Sequence, residues 1–202
     1  LPIKIIYFRN MKTLLLFIFP LSLLAQVLSP FGNNQHDSLE GSFVEDAEVY
    51  NGNLYLGGDF DLINGVSTGG FCKYDGTNTS SISFISASAF EKYNNVLAVA
   101  YRNGAGSSVG YWNDTVFQPS AFSNLPISYL KDLKSHNGDL YVTGNFSVNN
   151  QYYLLAKYNG TTWTYYGEVS LWRSGGLSLA IHNNMLHIGG FFDTIDGSHF
   201  GS

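Results

Sequence analysis

The 202-residue sequence contains a single cysteine, few charged side chains and no cluster of basic residues. One cysteine excludes an internal disulfide framework and any cysteine-rich zinc module. Charged residues make up only 12% of the chain, whereas aromatic residues make up 16% and glycine occurs 22 times. This composition disfavours a charged helical bundle and a disordered polar chain, and it favours many short strands joined by turns. The length is that of one domain or two small ones.

The segment from Met11 to Gln26 has the three parts of a secretory signal peptide. Lys12 supplies a positive n-region, residues 14–24 form an apolar run, and Ala25 is a small residue at the expected cleavage point. The alternative is a membrane anchor, which needs about 20 apolar residues. The run is shorter than that and is interrupted by Pro20. We therefore predict a cleaved leader.

The first part of the chain is predicted to divide into three segments: upstream read-through in 1–10, the signal peptide in 11–25 and an N-terminal linker in 26–43. Cleavage leaves seven basic side chains against fifteen acidic ones, a formal charge of −8. An acidic chain without a basic cluster is poorly suited to nucleic-acid phosphates or anionic lipids. We predict a bacterial protein that is secreted or held at the cell surface, with no nucleic-acid partner and no membrane span after cleavage.

Four similar segments recur along the chain at spacings of 43, 43 and 46 residues. They read NGNLYLGGDF from Asn51, NNVLAVAYRN from Asn94, NGDLYVTGNF from Asn137 and NNMLHIGGFF from Asn183. Each follows a short strand-like run, and its first residues tolerate the positive φ that a tight hairpin turn requires. A third strand ends in KYDGTNT, YWNDTVF or KYNGTTW in the first three copies, and a fourth strand follows. The predicted unit is four strands in about 45 residues.

A four-stranded antiparallel unit cannot bury both of its faces alone, so the copies must stack. Stacking around a common axis gives a β-propeller. An open β-solenoid or a β-sandwich fits less well, because solenoid coils are shorter and sandwiches do not repeat their turn chemistry. We predict an all-β partial propeller over 44–202, with three full repeats and the start of a fourth, beginning near 44, 87, 129 and 176. Propellers close with about four to eight blades, so we expect the recorded sequence to be a fragment.

Small residues after the second strand and an aromatic pair in the third copy suggest a family. A glycine pair stands at Gly57-Gly58 and Gly189-Gly190, is reduced to Thr143-Gly144 in the third copy and is lost at Ala100-Tyr101 in the second. The aromatic pair is Tyr158 and Trp163. In these features the chain resembles the Kelch-type β-propeller family. It is also similar to repeat modules of large secreted bacterial surface proteins, many of which carry a sorting domain for type IX export. The resemblance implies a fold and an export route but no activity, since such propellers serve as enzymes, adhesins and scaffolds. The second copy departs most from the pattern.

Oxygen-bearing side chains near the end of the second strand raise the question of a calcium site. Asp59, Asp61 and Asn64-Gly65 lie within seven residues, and Asp193 with Asp196-Gly197 is a partial echo. Calcium favours such turns, but the spacing is not that of an EF-hand and no bidentate glutamate follows. Turns in which Asp and Asn bond their own backbone are the alternative. We expect no metal site.

The histidines replace aromatic residues of the repeat. His136 and His182 stand where other copies have Tyr50 and Tyr93, and His187 takes the position of Tyr55. A zinc site would need paired histidines with cysteine or acidic partners, and the His-Glu-x-x-His motif is absent. We predict packing roles for these histidines. His36 and His199 belong to no motif.

The sequence offers no set of residues from which a catalytic site can be assembled. Cys72 is expected to be a small buried residue of the third strand. The carboxylates are scattered over different copies and show no spacing typical of a glycosidase pair. They are Glu40, Glu45, Asp46, Glu48, Glu91 and Glu168. We predict no catalytic residue and no cofactor.

Aromatic residues are the remaining signal for a ligand. Tyr101, Tyr111 and Trp172 could stack on sugars if they lie on exposed loops. Most aromatic residues recur at fixed positions of the repeat, so we expect packing between repeats to be their main role. The sequons at Asn78, Asn113, Asn145 and Asn159 matter only in a host that glycosylates asparagine. The sequence predicts an exported binding or scaffolding module for a protein or glycan, with unidentified binding residues. The alternative is a fragment of a secreted carbohydrate-active enzyme.

Overall fold

The computed structural model describes residues 3–5, 43–63, 66–103, 106–119, 121–122, 125, 128–170, 175–192 and 194–199. These residues form strands and turns without a helix, so the all-β prediction is confirmed. The predicted signal peptide and the linker up to residue 42 lie outside the described residues.

Nineteen strands are present in the described residues. In chain order they are β1 (Ile3–Ile5), β2 (Phe43–Tyr50), β3 (Asn53–Asp59), β4 (Leu62–Ile63), β5 (Val66–Ser67), β6 (Gly70–Tyr74), β7 (Thr79–Phe84), β8 (Ser86–Tyr93), β9 (Val96–Asn103), β10 (Gly106–Trp112), β11 (Phe117–Gln118), β12 (Ser128–His136), β13 (Asp139–Val148), β14 (Gln151–Tyr158), β15 (Trp163–Val169), β16 (Gly175–His182), β17 (Met185–Phe191), β18 (Thr194–Ile195) and β19 (Ser198–His199).

The first three repeats each form a four-stranded antiparallel sheet in which spatial order follows chain order. Sheet 1 contains β2, β3, β6 and β7, sheet 2 contains β8 to β11, and sheet 3 contains β12 to β15. A single antiparallel pair, Ser107 of β10 with Ser128 of β12, also joins the edges of sheets 2 and 3. Sheet 4 contains the antiparallel pair β16 and β17, and β1 pairs with β17 in parallel. The antiparallel four-stranded unit predicted from the repeat is therefore confirmed. The second copy also forms such a sheet, although its fourth strand, β11, has only two residues.

The first hairpin of every repeat has the turn that its asparagine predicts. Both central residues have positive φ: 47° and 77° at Asn51 and Gly52, 44° and 62° at Asn94 and Asn95, 52° and 84° at Asn137 and Gly138, and 48° and 59° at Asn183 and Asn184. Positive φ at both positions is the type I′ geometry that matches the twist of a two-residue hairpin. The repeating Asn-Gly and Asn-Asn corners thus fix the register of the first two strands.

A β-bulge interrupts the first strand of every sheet at the same position of the repeat. The extra residues are Glu45, Ser88, Lys131 and Leu177. In sheets 1, 3 and 4 a glycine of the second strand lies beside the bulge. A Cβ atom on Gly58, Gly144 or Gly190 would lie 2.1, 2.0 or 2.2 Å from a carbonyl oxygen of the first strand. The last glycine of each small-residue pair is therefore a packing requirement, and the second copy departs from it with Tyr101.

Consecutive sheets pack face to face, with an apolar cluster at each junction. Successive residues of a strand point to opposite faces, so Leu97 and Val99 of β9 pack toward sheet 1 whereas Ala98 and Ala100 pack toward sheet 3. The largest members at the junction of sheets 1 and 2 are Tyr50, Tyr55, Phe71, Phe90, Tyr101 and Trp112. Those between sheets 2 and 3 include Tyr93, Phe122, Leu133, Leu140 and Phe146. Those between sheets 3 and 4 are Tyr141, Leu155, Leu179, Leu186 and Ile188.

Candidate functional site

Two partly buried carboxylates join the first strand of one sheet to the first strand of the next. Asp46 Oδ2 accepts a hydrogen bond of 2.7 Å from the Phe90 amide, and Asp132 Oδ2 accepts one of 2.7 Å from the Leu179 amide. Both aspartates follow the bulge of their strand. Burial raises the pKa of Asp46 above its ordinary value and raises that of Asp132 to about 6. These carboxylates are structural.

The other scattered carboxylates also have partners. Glu48 pairs with Lys92 at 3.0 Å, and Glu91 accepts bonds from Lys134 at 3.0 Å and Ser135 at 2.7 Å. Glu168 accepts a bond of 3.2 Å from Gln151 within sheet 3. Glu40 lies outside the described residues. The Glu48–Lys92 and Glu91–Lys134 ion pairs each join two neighbouring sheets. The first strands of these sheets are therefore linked by ionic contacts that the sequence pattern alone does not reveal.

Tyrosines of the first strands reach the hairpin turn of the next sheet. The Tyr50 hydroxyl donates a bond of 2.6 Å to the Asn95 carbonyl, and the Tyr93 hydroxyl donates one of 3.3 Å to the Gly138 carbonyl. Tyr55 of β3 donates 2.6 Å to Asp114 Oδ1 in the third turn of sheet 2. The aromatic positions of the repeat therefore serve packing and sheet linkage together.

The histidines at these positions do not gather into a metal site. The rings of His182 and His187 lie 6.2 Å apart, and both ring nitrogens of His187 are buried without a partner among the described residues. No group of three or more His, Cys, Asp or Glu side chains that could hold a metal occurs in the part of the chain that the structure describes. Cys72 is fully buried, and burial raises the pKa of its thiol to about 12.

The oxygen-rich segments are placed differently from each other. Asp196 is used structurally, because its carboxylate accepts a bond of 2.8 Å from the Glu168 amide. Asp59 and Asp61 instead line a cavity described below. Asn64, Gly65 and Asp193 lie outside the described residues.

Large apolar side chains are exposed mainly at one end of the sheets, where each first strand begins and each second strand ends. We call this end the upper rim. Six of the seven such side chains among the described residues lie there, and Val116 is at the opposite end. The six are Phe43, Val44, Phe84, Tyr129, Leu177 and Phe191. Single exposed apolar residues are normal in monomeric proteins, so the distinctive feature is their concentration at one end.

The aromatic residues suggested by sequence for sugar stacking are not the exposed ones. Tyr101 is buried in the cluster between sheets 1 and 2, with only 1% of its surface exposed, so it has the packing role that the repeat favours and is not available for sugar stacking. Tyr111 is partly buried against Phe122. Trp172 lies outside the described residues. The exposed rings are instead at strand ends, where the repeat pattern does not distinguish a buried position from an open one.

A cavity of about 300 Å³ opens at the upper rim between sheets 1 and 2. Its lining residues are Gly58, Asp59, Phe60, Asp61, Gly69, Gly70, Phe84, Ile85, Ser86 and Arg102. They come from the end of β3, the start of β6, the connection from β7 to β8, and β9. The volume is at the lower end of the range for small-ligand sites.

Two glycines and one phenylalanine shape this cavity. Gly69 and Gly70 have φ of +63° and +86°. A Cβ atom on Gly69 would lie 2.3 Å from the Phe84 ring, and one on Gly70 would lie 2.5 Å from the Ile85 carbonyl oxygen. The Phe84 ring therefore lies directly against the glycine backbone while 75% of the residue remains exposed. Phe84 therefore adds an exposed apolar ring to the lining of the cavity.

Arg102 is the one basic residue of the lining. Its Nη2 donates to Glu45 at 2.5 Å and to Ser86 Oγ at 2.9 Å. The side chain of Glu45 is 15% exposed and that of Arg102 is 38% exposed. A guanidinium carries five donors in a fixed plane, so the Glu45 and Ser86 contacts orient the group and leave other donors for a ligand.

Comparisons with known proteins add no assignment, since neither a family model nor a curated protein matches this chain. No helix among the described residues is long and apolar enough to cross a membrane. The site is therefore characterised by its own geometry: an upper rim with exposed apolar side chains and a cavity that combines carboxylates, a guanidinium and an open aromatic ring.

Proposed function

We propose that this chain is an exported binding or scaffolding module, built as part of a Kelch-like β-propeller, that holds a protein or glycan ligand at its upper rim. The observation that carries the proposal is the concentration of exposed apolar side chains at one end of the sheets, next to a cavity. Folding leaves most large apolar groups buried, so those kept exposed at one end are available for a partner.

The propeller arrangement is supported by the order of the sheets. An apolar cluster joins each sheet to the sheet of the next repeat, and the same bulge and first-hairpin turn recur in all four sheets. The bond from an aspartate to an amide of the next sheet occurs at the first and third junctions, and the bond from a tyrosine to the turn of the next sheet occurs at the first and second. Repetition of one small rotation per unit is how such blades are arranged around an axis.

Export is tested by expressing the chain from Met11 in a Gram-negative host and sequencing the N-terminus of the exported protein. Cleavage before Gln26 is expected. A protein that stays in the cytoplasm with residues 11–25 attached would contradict the export part of the proposal.

Binding at the upper rim is tested on a glycan array with matched exposed-residue variants. Tyr129→Ser together with Phe191→Ser should weaken any binding of the full chain, whereas Val116→Ser at the opposite end should not. Equal loss in the two variants, or unchanged binding in the rim variant, would count against the upper rim as the binding surface.

A carbohydrate-active enzyme is the second candidate, because Asp59 and Asp61 line one cavity. Paired carboxyl groups are the usual machinery of glycoside hydrolysis. Incubation with oligosaccharides, followed by chromatography of the products, tests this candidate. Product formation that disappears in both Asp59→Asn and Asp61→Asn would favour the enzyme over the binding module.

A further inference from the structure

The cavity between sheets 1 and 2 occupies a place that is filled at the junction of sheets 3 and 4. There, Leu154 and Val169 of sheet 3 pack against Phe192 and Ile195, which follow β17. Ile195 belongs to the small hairpin formed by β18 and β19. At that junction, therefore, apolar side chains of the following repeat fill the space between the two sheets at the upper rim. We call Phe192 and Ile195 the plug.

Two local differences open the same place at the junction of sheets 1 and 2. The register of the second and third strands pairs Gly57 with Phe71 in sheet 1 and Thr143 with Leu155 in sheet 3. Gly70 therefore stands where sheet 3 has Leu154. In addition, β9 ends at Asn103 and β10 begins at Gly106, so two intervening residues replace the plug-bearing hairpin. The cavity results from a missing side chain and a missing hairpin.

Polar groups line the cavity between sheets 1 and 2. Asp59, Asp61, Ser86 and Arg102 surround it, and Phe84 lies open at its mouth. A ligand must therefore offer an apolar face to the ring and hydroxyl donors and acceptors to the carboxylates and the guanidinium. Charge-assisted hydrogen bonds to carboxylates favour hydroxyl donors. A pyranose ring has this combination of one apolar face and a polar edge.

The charge of the site selects among sugars. Asp59, Asp61 and Glu45 together bring three carboxylates to one guanidinium, Arg102. An anionic sugar would meet a net negative site, and its charge would be repelled. A neutral sugar avoids this cost and can still use all the hydrogen-bonding groups.

We propose that this cavity binds a sugar residue of a neutral glycan, with the ring face on Phe84 and hydroxyl groups on Asp59, Asp61 and Arg102. The inference rests on the proposed function of the upper rim and assigns its ligand class and its position.

The test is isothermal titration of the purified full chain with cellopentaose, xylopentaose and maltopentaose. At least one of these neutral oligosaccharides should bind. Phe84→Ala should raise its Kd about three- to tenfold, which corresponds to the loss of an aromatic contact. Phe84 is largely exposed, so the variant should fold normally, and Asp61→Asn provides a second variant that removes a hydrogen-bond acceptor without changing the shape of the cavity.

Val116→Ala is the matched control, because Val116 is 46% exposed at the opposite end of the sheets and does not line the cavity. Its Kd should stay within a factor of about two of the unmodified chain. Failure of all three neutral oligosaccharides to bind would overturn the inference. So would binding that is lost in Tyr129→Ala, at the upper rim but outside the cavity lining, and kept in Phe84→Ala, although that result would support the upper rim as the binding surface.

Charged probes complete the test. Pentagalacturonate, an acidic oligosaccharide, should bind at least about tenfold more weakly than the best neutral glycan, because its charge is repelled by the carboxylates. Pentalysine should also bind at least about tenfold more weakly, because it has no ring face to place on Phe84. Tighter Phe84-dependent binding of pentalysine would show that the carboxylates select a cation, and it would overturn the sugar assignment.

Discussion

Single residues decide how closely the strands of this protein approach each other. Gly144 of β13 lies against the bulged strand β12, and its missing side chain leaves room for the Tyr129 carbonyl. The sequence indicates that glycine recurs at this position of the repeat, but only the structure shows that a carbonyl oxygen requires it. The partly buried aspartates Asp46 and Asp132 are likewise visible in the sequence, but their role is not, because their amide partners lie 44 and 47 residues away.

Gly144→Ala is expected to destabilise the fold by more than about 2 kcal/mol, because the new methyl group would force the backbone of β12 to move. Gly175→Ala is the control: the nearest atom to its Cβ would be 3.9 Å away, and the change should cost less than about 0.5 kcal/mol. Urea unfolding followed by tryptophan fluorescence measures both. Similar unfolding midpoints for the two variants would contradict the packing requirement.

The pKa of Asp132 predicts how stability depends on pH. Burial raises it from the ordinary 3.8 to about 6 in the folded protein, so the folded state binds a proton more tightly than the unfolded chain. The free energy of unfolding should therefore fall as pH rises from about 4 to about 6 through this group. The asparagine side chain of the Asp132→Asn variant does not titrate, so the variant does not lose unfolding free energy in this way. Its stability relative to the unmodified chain should therefore increase as pH rises from about 4 to about 6.

Asp75→Asn is the control for this titration. The Asp75 carboxylate is exposed and accepts hydrogen bonds from the Thr77 and Asn78 amides, which lower its pKa. Its contribution to stability is lost only as pH falls below about 4, which is the opposite sign. Thermal unfolding at a series of pH values compares the proteins. A stability difference between Asp132→Asn and the unmodified chain that stays constant from pH 4 to 7 would refute the role assigned to Asp132.

At the scale of the element, the strand pattern is predictable because the turns carry it. Asn-Gly and Asn-Asn corners fix four hairpins, and the Asp75, Asn113 and Asn159 side chains accept amide bonds in the turns between the third and fourth strands. The upper connections differ in length and composition among repeats. Their geometry depends on side-chain volumes in neighbouring sheets, so the cavity beside Phe84 could not be predicted from the repeat.

The stabilisation that a tyrosine hydroxyl gives to the contact between two sheets can be measured directly. Tyr50→Phe removes the bond to the Asn95 carbonyl in the next sheet and should cost about 1 kcal/mol of unfolding free energy. Tyr74→Phe removes an exposed bond to the Gly76 carbonyl within its own turn and should cost less than about 0.5 kcal/mol. Chemical denaturation of the two variants makes the comparison. A larger cost for Tyr74→Phe would argue against the inter-sheet role of Tyr50.

At the scale of the whole molecule, packing is between consecutive repeats. The first strand of each sheet contacts the first strand of the next, and carboxylates, tyrosines and apolar clusters repeat this arrangement along the chain. The all-β class and the four-stranded unit follow from the period of the sequence. The inter-sheet bonds do not, since residues such as Asp46 and Phe90 belong to different copies and have no local signal. The cavity, and with it the proposed glycan site, exists only if the sheets stack in this order.

Amide hydrogen exchange at Phe90 and Leu179 tests this stacking most directly. Each amide donates a hydrogen bond to a carboxylate of the preceding sheet. Phe90 donates to Asp46 of sheet 1, and Leu179 donates to Asp132 of sheet 3. Both should exchange slowly in the unmodified chain, and in Asp46→Ala the Phe90 amide should lose protection while Leu179 keeps it. Fast exchange of Phe90 in the unmodified chain, or protection unchanged by Asp46→Ala, would contradict the stacked arrangement on which the proposed binding surface depends.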